Sequence, residues 1–78
     1  MNKHVEIERL IESNEWDIDY HMKKATHANE VLRALPNDEE MKQTKQYHSE
    51  RLTKCLFLRD LYYTARDAWA DNTQNQVQ

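Results

Sequence analysis

Histidines and nearby carboxylates are the residues of this 78-residue sequence that could support metal or acid–base chemistry. Asp17 precedes His21 by four residues, and His27 precedes Glu30 by three, so each pair shares one side of a helix. Di-metal sites in helix bundles need Glu-x-x-His pairs projecting inward from two helices. The sequence contains no Glu-x-x-His pair. We therefore predict no metal site, no cofactor and no metal-dependent catalysis.

Cys55 is the single cysteine and a candidate nucleophile. Arg51 and Arg59 stand one helical turn on either side and could lower the pKa of its thiol. Nucleophilic catalysis also needs an oriented base, and the sequence offers none nearby. Because Cys55 lies among apolar residues, we predict a buried structural thiol in a non-enzymatic protein. One cysteine allows no internal disulfide, and this usage predicts a cytoplasmic location.

Nucleic acid and membranes are not expected as partners. The formal net charge is -3 and the pI is about 5.7, whereas domains that bind a duplex commonly have a pI above about 9. No apolar run approaches the ~20 residues of a membrane span. Basic residues concentrate in the second half of the chain: Lys42, Lys45, Arg51, Lys54, Arg59 and Arg66. Carboxylates of the first half are expected to lie beside them and neutralise much of this charge.

The composition predicts an all-α protein, because there is no glycine and only one proline to build the tight turns of a sheet. Pro36, in the segment LPND, separates a helix over residues 3–35 from a helix over residues 38–71. Asn37 is the predicted N-cap of the second helix. Residues 1–71 then form one domain, and residues 72–78 form a polar flexible tail.

The first helix carries an apolar seam whose spacing alternates four and three, which is the heptad pattern of a coiled coil. Its members are Ile7, Ile11, Asn14, Ile18, His21, Ala25, Ala28, Leu32 and Leu35. Asn14 and His21 are polar seam positions, which we interpret as residues that set the helix register. Ser13 or Asn14 could cap a new helix, but the unbroken phase of the seam favours one continuous helix.

The second helix has a main stripe that is polar in its first half and apolar in its second: Tyr47, Arg51, Lys54, Leu58, Leu61, Ala65 and Ala68. The short connection predicts an antiparallel hairpin in which paired residue numbers sum to about 74. This register pairs Glu8 with Arg66 and Glu15 with Arg59. It also brings Met22 near Leu52, and His48 near Ala25.

One partner helix cannot cover every apolar residue of the second helix. Phe57, Leu61, Ala65 and Ala68 lie on one side of the second helix. Leu52, Leu56 and Tyr63 form a second ridge, roughly 140–180° around the helix from that side. Trp16 and Tyr20 make a further apolar patch on the outer face of the first helix. We therefore expect the hairpin to dimerise into a four-helix bundle. The expected partner-binding residues are Trp16, Tyr20, Leu52, Leu56, Tyr63 and Trp69.

These features predict a small non-enzymatic module that regulates or inhibits a larger protein by binding it. The size and class resemble small acidic two-helix regulators, some encoded by bacteriophages, which is an analogy of shape alone. The alternative is a self-assembling structural or assembly factor. A metal-binding four-helix bundle and a nucleic-acid-binding hairpin are less favoured.

Overall fold

The protein is an antiparallel hairpin of two helices, as the sequence predicts. The computed structural model describes residues 3–77, and the side chains of residues 4–69. Helix α1 spans Lys3–Ala34 and helix α2 spans Glu39–Val77, with no strand among the described residues. The molecule is a rod of about 62 × 17 × 14 Å. None of the described helices is apolar over a length that could cross a membrane.

A four-residue turn joins the helices at the predicted break. The amide of Asp38 donates to the carbonyl of Leu35 over 3.1 Å, with Pro36 at the second position of the turn. Described residues contain no positive φ, which excludes a type II turn and leaves type I geometry. The fixed φ of Pro36 suits the second position of such a turn.

The N-cap of α2 is Asp38, so the prediction of Asn37 was wrong by one residue. The Asp38 carboxylate accepts a hydrogen bond from the amide of Met41 at 3.0 Å, which satisfies an otherwise unpaired donor of the first turn. Asn37 instead occupies the third position of the turn. The reason is that the turn needs two residues after Leu35 before the chain can enter the helix.

The helix ends differ slightly from the predicted ones. Helix α1 ends at Ala34, one residue early, and α2 begins at Glu39 and continues to Val77. The helix therefore includes residues 72–77, where the sequence predicts a polar tail, and the flexibility of that segment stays a prediction. Met1, Asn2 and Gln78 lie outside the described residues.

The seam of α1 is confirmed from Ile7 to Leu32. Ile7, Ala25 and Leu32 are half-buried, whereas Leu35 is exposed because it follows the end of the helix. The helix is continuous through Ser13 and Asn14, as the phase of the seam predicts. The buried members are Ile11, Asn14, Ile18, His21 and Ala28.

The main stripe predicted for α2 does not face α1, which corrects the prediction. All of its members except Leu58 are exposed, and we call this set (Tyr47, Arg51, Lys54, Leu58, Leu61, Ala65 and Ala68) the outer stripe. The side of α2 that packs on α1 lies next to it around the helix. Buried or half-buried residues on this side include Met41, Thr44, His48, Leu52, Cys55, Arg59, Tyr62 and Arg66, with Leu56 and Tyr63 beside them. Arg51 and Lys54 are exposed in this arrangement.

Candidate functional site

Two buried histidines face each other near the middle of the hairpin. The Nδ1 atoms of His21 on α1 and His48 on α2 lie 2.8 Å apart, and the two side chains are 8% and 9% exposed. One Nδ1 must carry a hydrogen and the other must present a lone pair for this hydrogen bond to form. The pair therefore has room for one shared proton and disfavours a state in which both rings are cationic.

Two tyrosines enclose the histidine pair. The ring of Tyr20 packs edge-on against His21 and His48, with centroids 5.1 and 5.7 Å away. Tyr47 packs in the same manner at 6.3 Å from His21 and 4.9 Å from His48. Edge-to-face contacts at these separations are favourable, so the four rings form one cluster across the hairpin.

The surroundings of His48 lower its pKa from the ordinary value of 6.5. Burial is the largest cause, because it penalises the charged ring, and the positive charges of His21 and Lys24 add to it. His48 therefore stays neutral at a pH where a free imidazole begins to gain its second proton. The neutral ring can complete the hydrogen bond with His21.

Asn14 makes the second polar contact across the seam. Its Nδ2 donates to the backbone carbonyl of Cys55 over 2.7 Å, and both groups are buried. The residue numbers of this pair and of the histidine pair both sum to 69. The two polar seam residues of α1, predicted to set the register, thus both contact α2 in the same register.

That register differs by about one helical turn from the predicted one in the middle of the rod. The prediction placed His48 beside Ala25, whereas His48 contacts His21. Sequence reasoning missed this pair, although His48 and Cys55 repeat the seven-residue spacing of Asn14 and His21. The matching spacing was the signal that could have found it.

At the open end of the hairpin the predicted pairing is partly confirmed. Arg66 donates to Glu8 at 3.4 Å, as predicted. Glu15 was expected beside Arg59 but accepts a hydrogen bond from the hydroxyl of Tyr63 at 3.2 Å. Met22, expected against Leu52, is largely exposed.

Cys55 lies in an environment that suppresses thiolate formation. Burial raises the pKa of its thiol, the charge of Asp17 raises it further, and Arg51 opposes this to a smaller extent. A thiol with a raised pKa is a poor nucleophile near neutral pH. This position suits the packing role expected for Cys55.

Trp16 and Tyr20 form an open surface on α1, which we call the Trp16–Tyr20 patch. Their side chains are 72% and 52% exposed, and they stand one turn apart. Trp16 lines three adjoining shallow depressions, whose walls include Glu12, Asp19 and Lys23. The patch combines a large exposed indole with carboxylates and with the basic residues Arg9, Lys23 and Lys24.

The other residues expected to bind a partner are half-buried within the hairpin: Leu52, Leu56, Tyr63 and Trp69. Arg66 lies over the ring of Tyr63 at 4.9 Å, and the ring of Trp69 stacks on His4 with centroids 5.8 Å apart. These residues already have contacts within one chain. Their role toward a partner stays a prediction.

Among residues 4–69, no three His, Cys, Asp or Glu side chains are grouped closely enough to hold a metal ion. No protein family, curated protein or solved structure matches the chain. Three candidate sites have been described: the His21–His48 cluster, the Trp16–Tyr20 patch and the outer stripe of α2.

Proposed function

We propose that this protein is a non-enzymatic binding module that regulates or inhibits a larger cytoplasmic protein. The observation that carries the proposal is the exposure of Trp16, which is 72% accessible on a rigid helix and sits one turn from Tyr20. Tryptophan and tyrosine dominate the energetics of protein interfaces, because each buries a large area at a small cost in side-chain entropy.

Packing within the hairpin does not explain the position of Trp16. The helical projection places it about opposite the seam of α1, so it contributes little to the packing between α1 and α2. Leaving an indole in water gives up the free energy that its burial would contribute. A binding partner that receives Trp16 in a pocket would recover it.

The charges around the patch describe the partner's surface. Residues 12–20 contain four carboxylates and no basic side chain. Asp19 is held by Lys23 at 2.9 Å, while Glu12 and Asp17 lie exposed on either side of Trp16. The same depressions are also lined by Arg9, Lys23 and Lys24, so the complementary surface is an apolar pocket with a rim of both charges.

The rod shape supports a simple mechanism. A rod of about 62 Å laid across a partner by its central aromatic patch would cover a strip of surface far beyond the patch itself. The hairpin would block that strip, or hold a second protein beside it. Neither mode needs a catalytic group.

A second candidate function is self-assembly, with two hairpins forming a four-helix bundle. The observation that favours it is the exposure of the outer stripe, including Leu61 at 49%. Four-helix bundles bury such stripes in a shared core. Self-assembly and binding through Trp16 use different faces of the hairpin and can occur together.

Quantitative affinity capture from the source cell tests the binding proposal. The wild-type chain and the Trp16→Ala, Tyr20→Ala and Tyr47→Ala variants serve as baits, and recovered proteins are compared by mass spectrometry. We expect one protein to be retained by wild type and lost by at least tenfold with Trp16→Ala, since hot-spot truncations cost about 2 kcal/mol or more.

Tyr47→Ala is the matched control, because Tyr47 is an exposed aromatic on the other helix. It should retain the partner. Circular dichroism must show that each bait is folded. Equal recovery of every protein by the wild-type, Trp16→Ala and Tyr20→Ala baits would refute the proposal.

A further inference from the structure

The outer stripe of α2 has the spacing of a coiled-coil seam, but α1 does not cover it. Its seven members follow one another at intervals of four and three over residues 47–68. In α1 the same spacing marks the residues that pack on α2. A heptad stripe three repeats long is normally covered by another helix of similar length.

We propose that the outer stripe packs against the outer stripe of a second copy, with the two α2 helices antiparallel. Leu58 of each copy then lies opposite Leu61 of the other, Lys54 opposite Ala65, and Arg51 opposite Ala68. This inference rests on the self-assembly proposed above. It adds which face of α2 forms the contact, in which direction the two α2 helices run, and which residues lie opposite each other.

Side-chain size selects this direction. In an antiparallel pair, alternate seam positions of one helix lie opposite the complementary positions of the other. Residue numbers that sum to 119 satisfy this rule along the stripe and put long side chains across from small ones. Ala65 and Ala68 leave space for the stems of Lys54 and Arg51, whose charged ends can reach water beside the seam.

A parallel pair would bring each residue against its own copy. Arg51 would face Arg51 and Lys54 would face Lys54, with like charges close together at two successive seam positions. The alanines would face each other and leave the seam underfilled. Both features disfavour the parallel pair.

The two halves of the rod differ in charge, which bears on the direction of the pair. The half of the hairpin that contains the turn, residues 20–54, has seven basic and five acidic side chains. The open half, residues 4–19 and 55–69, has three basic and eight acidic side chains. A parallel pair sets the two acidic halves together along residues 55–69, whereas the antiparallel register with sums of 119 sets only residues 55–64 of the two copies together, so like charges disfavour the parallel pair more.

The area of the rod is large enough for a stable dimer. The chain exposes 6277 Å², whereas a compact monomer of its mass would expose about 5,000 Å². Two chains packed as compactly as one protein of twice the mass would together bury about 4,000 Å². A stable interface needs only about 1,200–2,000 Å², so partial coverage of the rods is sufficient.

The first test is the solution mass, measured by sedimentation over about a hundredfold range of concentration, because a dimer responds to dilution by mass action. We expect wild type to be a dimer and Leu61→Glu to be a folded monomer. Trp16→Glu is the matched control on the other helix and should remain a dimer. A wild-type monomer at every concentration would overturn the proposal, while leaving the binding function of Trp16 intact.

The second test separates the two directions by a substitution with opposite effects. Ala65→Glu places a carboxylate opposite Lys54 of the second copy in the antiparallel pair. In the parallel pair the two introduced carboxylates would instead face each other. Ala65→Gln is the control, because it fills the same space without a charge. We expect the dissociation constant of Ala65→Glu to be about two- to tenfold lower than that of Ala65→Gln, a difference that high salt removes. A dimer weaker than that of Ala65→Gln would overturn the antiparallel register.

The third test measures direction as a distance. A spin label at Asn37→Cys, in a Cys55→Ala background, marks the turn of each hairpin. At 1.5 Å per residue, the labels should lie about 60–70 Å apart in the antiparallel dimer and within about 30 Å in a parallel one. A short distance in a sample of dimer mass would refute the antiparallel direction but not the self-assembly.

In the mass measurement, a dimer that persists in Leu61→Glu would show that the outer stripe is not the face of contact.

Discussion

His21 and His48 share one hydrogen bond, 2.8 Å between their Nδ1 atoms, in the buried centre of the hairpin. The pair faces Tyr20 on α1 and Tyr47 on α2, and Lys24 is the further charged side chain that acts on it. Burial and two positive charges lower the pKa of His48, and no carboxylate is among the causes. Burial and these positive charges therefore oppose an added proton on His48.

The pH dependence of stability follows from this relationship. Because the pKa of His48 is lowered in the folded state, the unfolded chain binds more protons as the pH falls below 6.5. The contribution of neutral His48 to the free energy of unfolding is thus fully present above about pH 6.5. It is lost as the pH falls through the folded-state pKa of His48. Urea unfolding at several pH values and one protein concentration measures the effect.

The control for the pH experiment is His27, an exposed histidine away from the seam. His27→Gln should keep the wild-type pH profile, and His48→Gln should flatten it between neutral pH and about pH 5. If wild type and His48→Gln lose stability in parallel over this range, the carboxylates rather than the histidine pair control acid unfolding.

Asn14 is expected to stabilise the hairpin through its bond to the Cys55 carbonyl. Asn14→Ala removes a buried hydrogen bond of 2.7 Å and leaves a small cavity, so the free energy of unfolding should fall by about 1–2 kcal/mol. Asn29→Ala, an exposed substitution on the same helix, should change it by less than about 0.5 kcal/mol. Equal losses of stability in the two variants would contradict the prediction that the Asn14 hydrogen bond stabilises the pairing of the two helices.

The capping contact of Asp38 gives a prediction with an adjacent control. Asp38→Ala should lower the free energy of unfolding by about 1 kcal/mol, because it removes the acceptor for the Met41 amide. Asn37→Ala should have little effect, since the cap of α2 is the neighbouring carboxylate. Thermal unfolding of the two variants compares them, and a larger loss for Asn37→Ala would restore the N-cap predicted from sequence.

Cys55 should react slowly with thiol reagents in the folded protein. Its thiol is buried and has a raised pKa, so modification at neutral pH requires the hairpin to open. Ellman's reagent should react at least about tenfold faster in urea than in buffer, and faster with folded Asn14→Ala than with folded Asn29→Ala. Rapid reaction of native wild type would show that the thiol is accessible and ionised.

Much of the candidate surface could be read from the sequence. The angle between Trp16 and the seam of α1 predicted an outward-facing patch, and Trp16 and Tyr20 are both exposed. Leu52, Leu56 and Tyr63 were expected on a ridge away from α1, but they lie half-buried beside it. Helical projection orders residues around one helix, and it does not say which angle faces the neighbouring helix.

The sequence by itself determined the helices, the break at Pro36 and the seam of α1, because these follow from local propensity, one proline and an unbroken heptad phase. Only the tertiary structure decided which of two competing stripes of α2 faces α1, and in which register. The physical reason is that the choice depends on pairing across the hairpin. Packing His48 and Cys55 against His21 and Asn14 gives each buried polar side chain of the α1 seam a hydrogen-bond partner on α2.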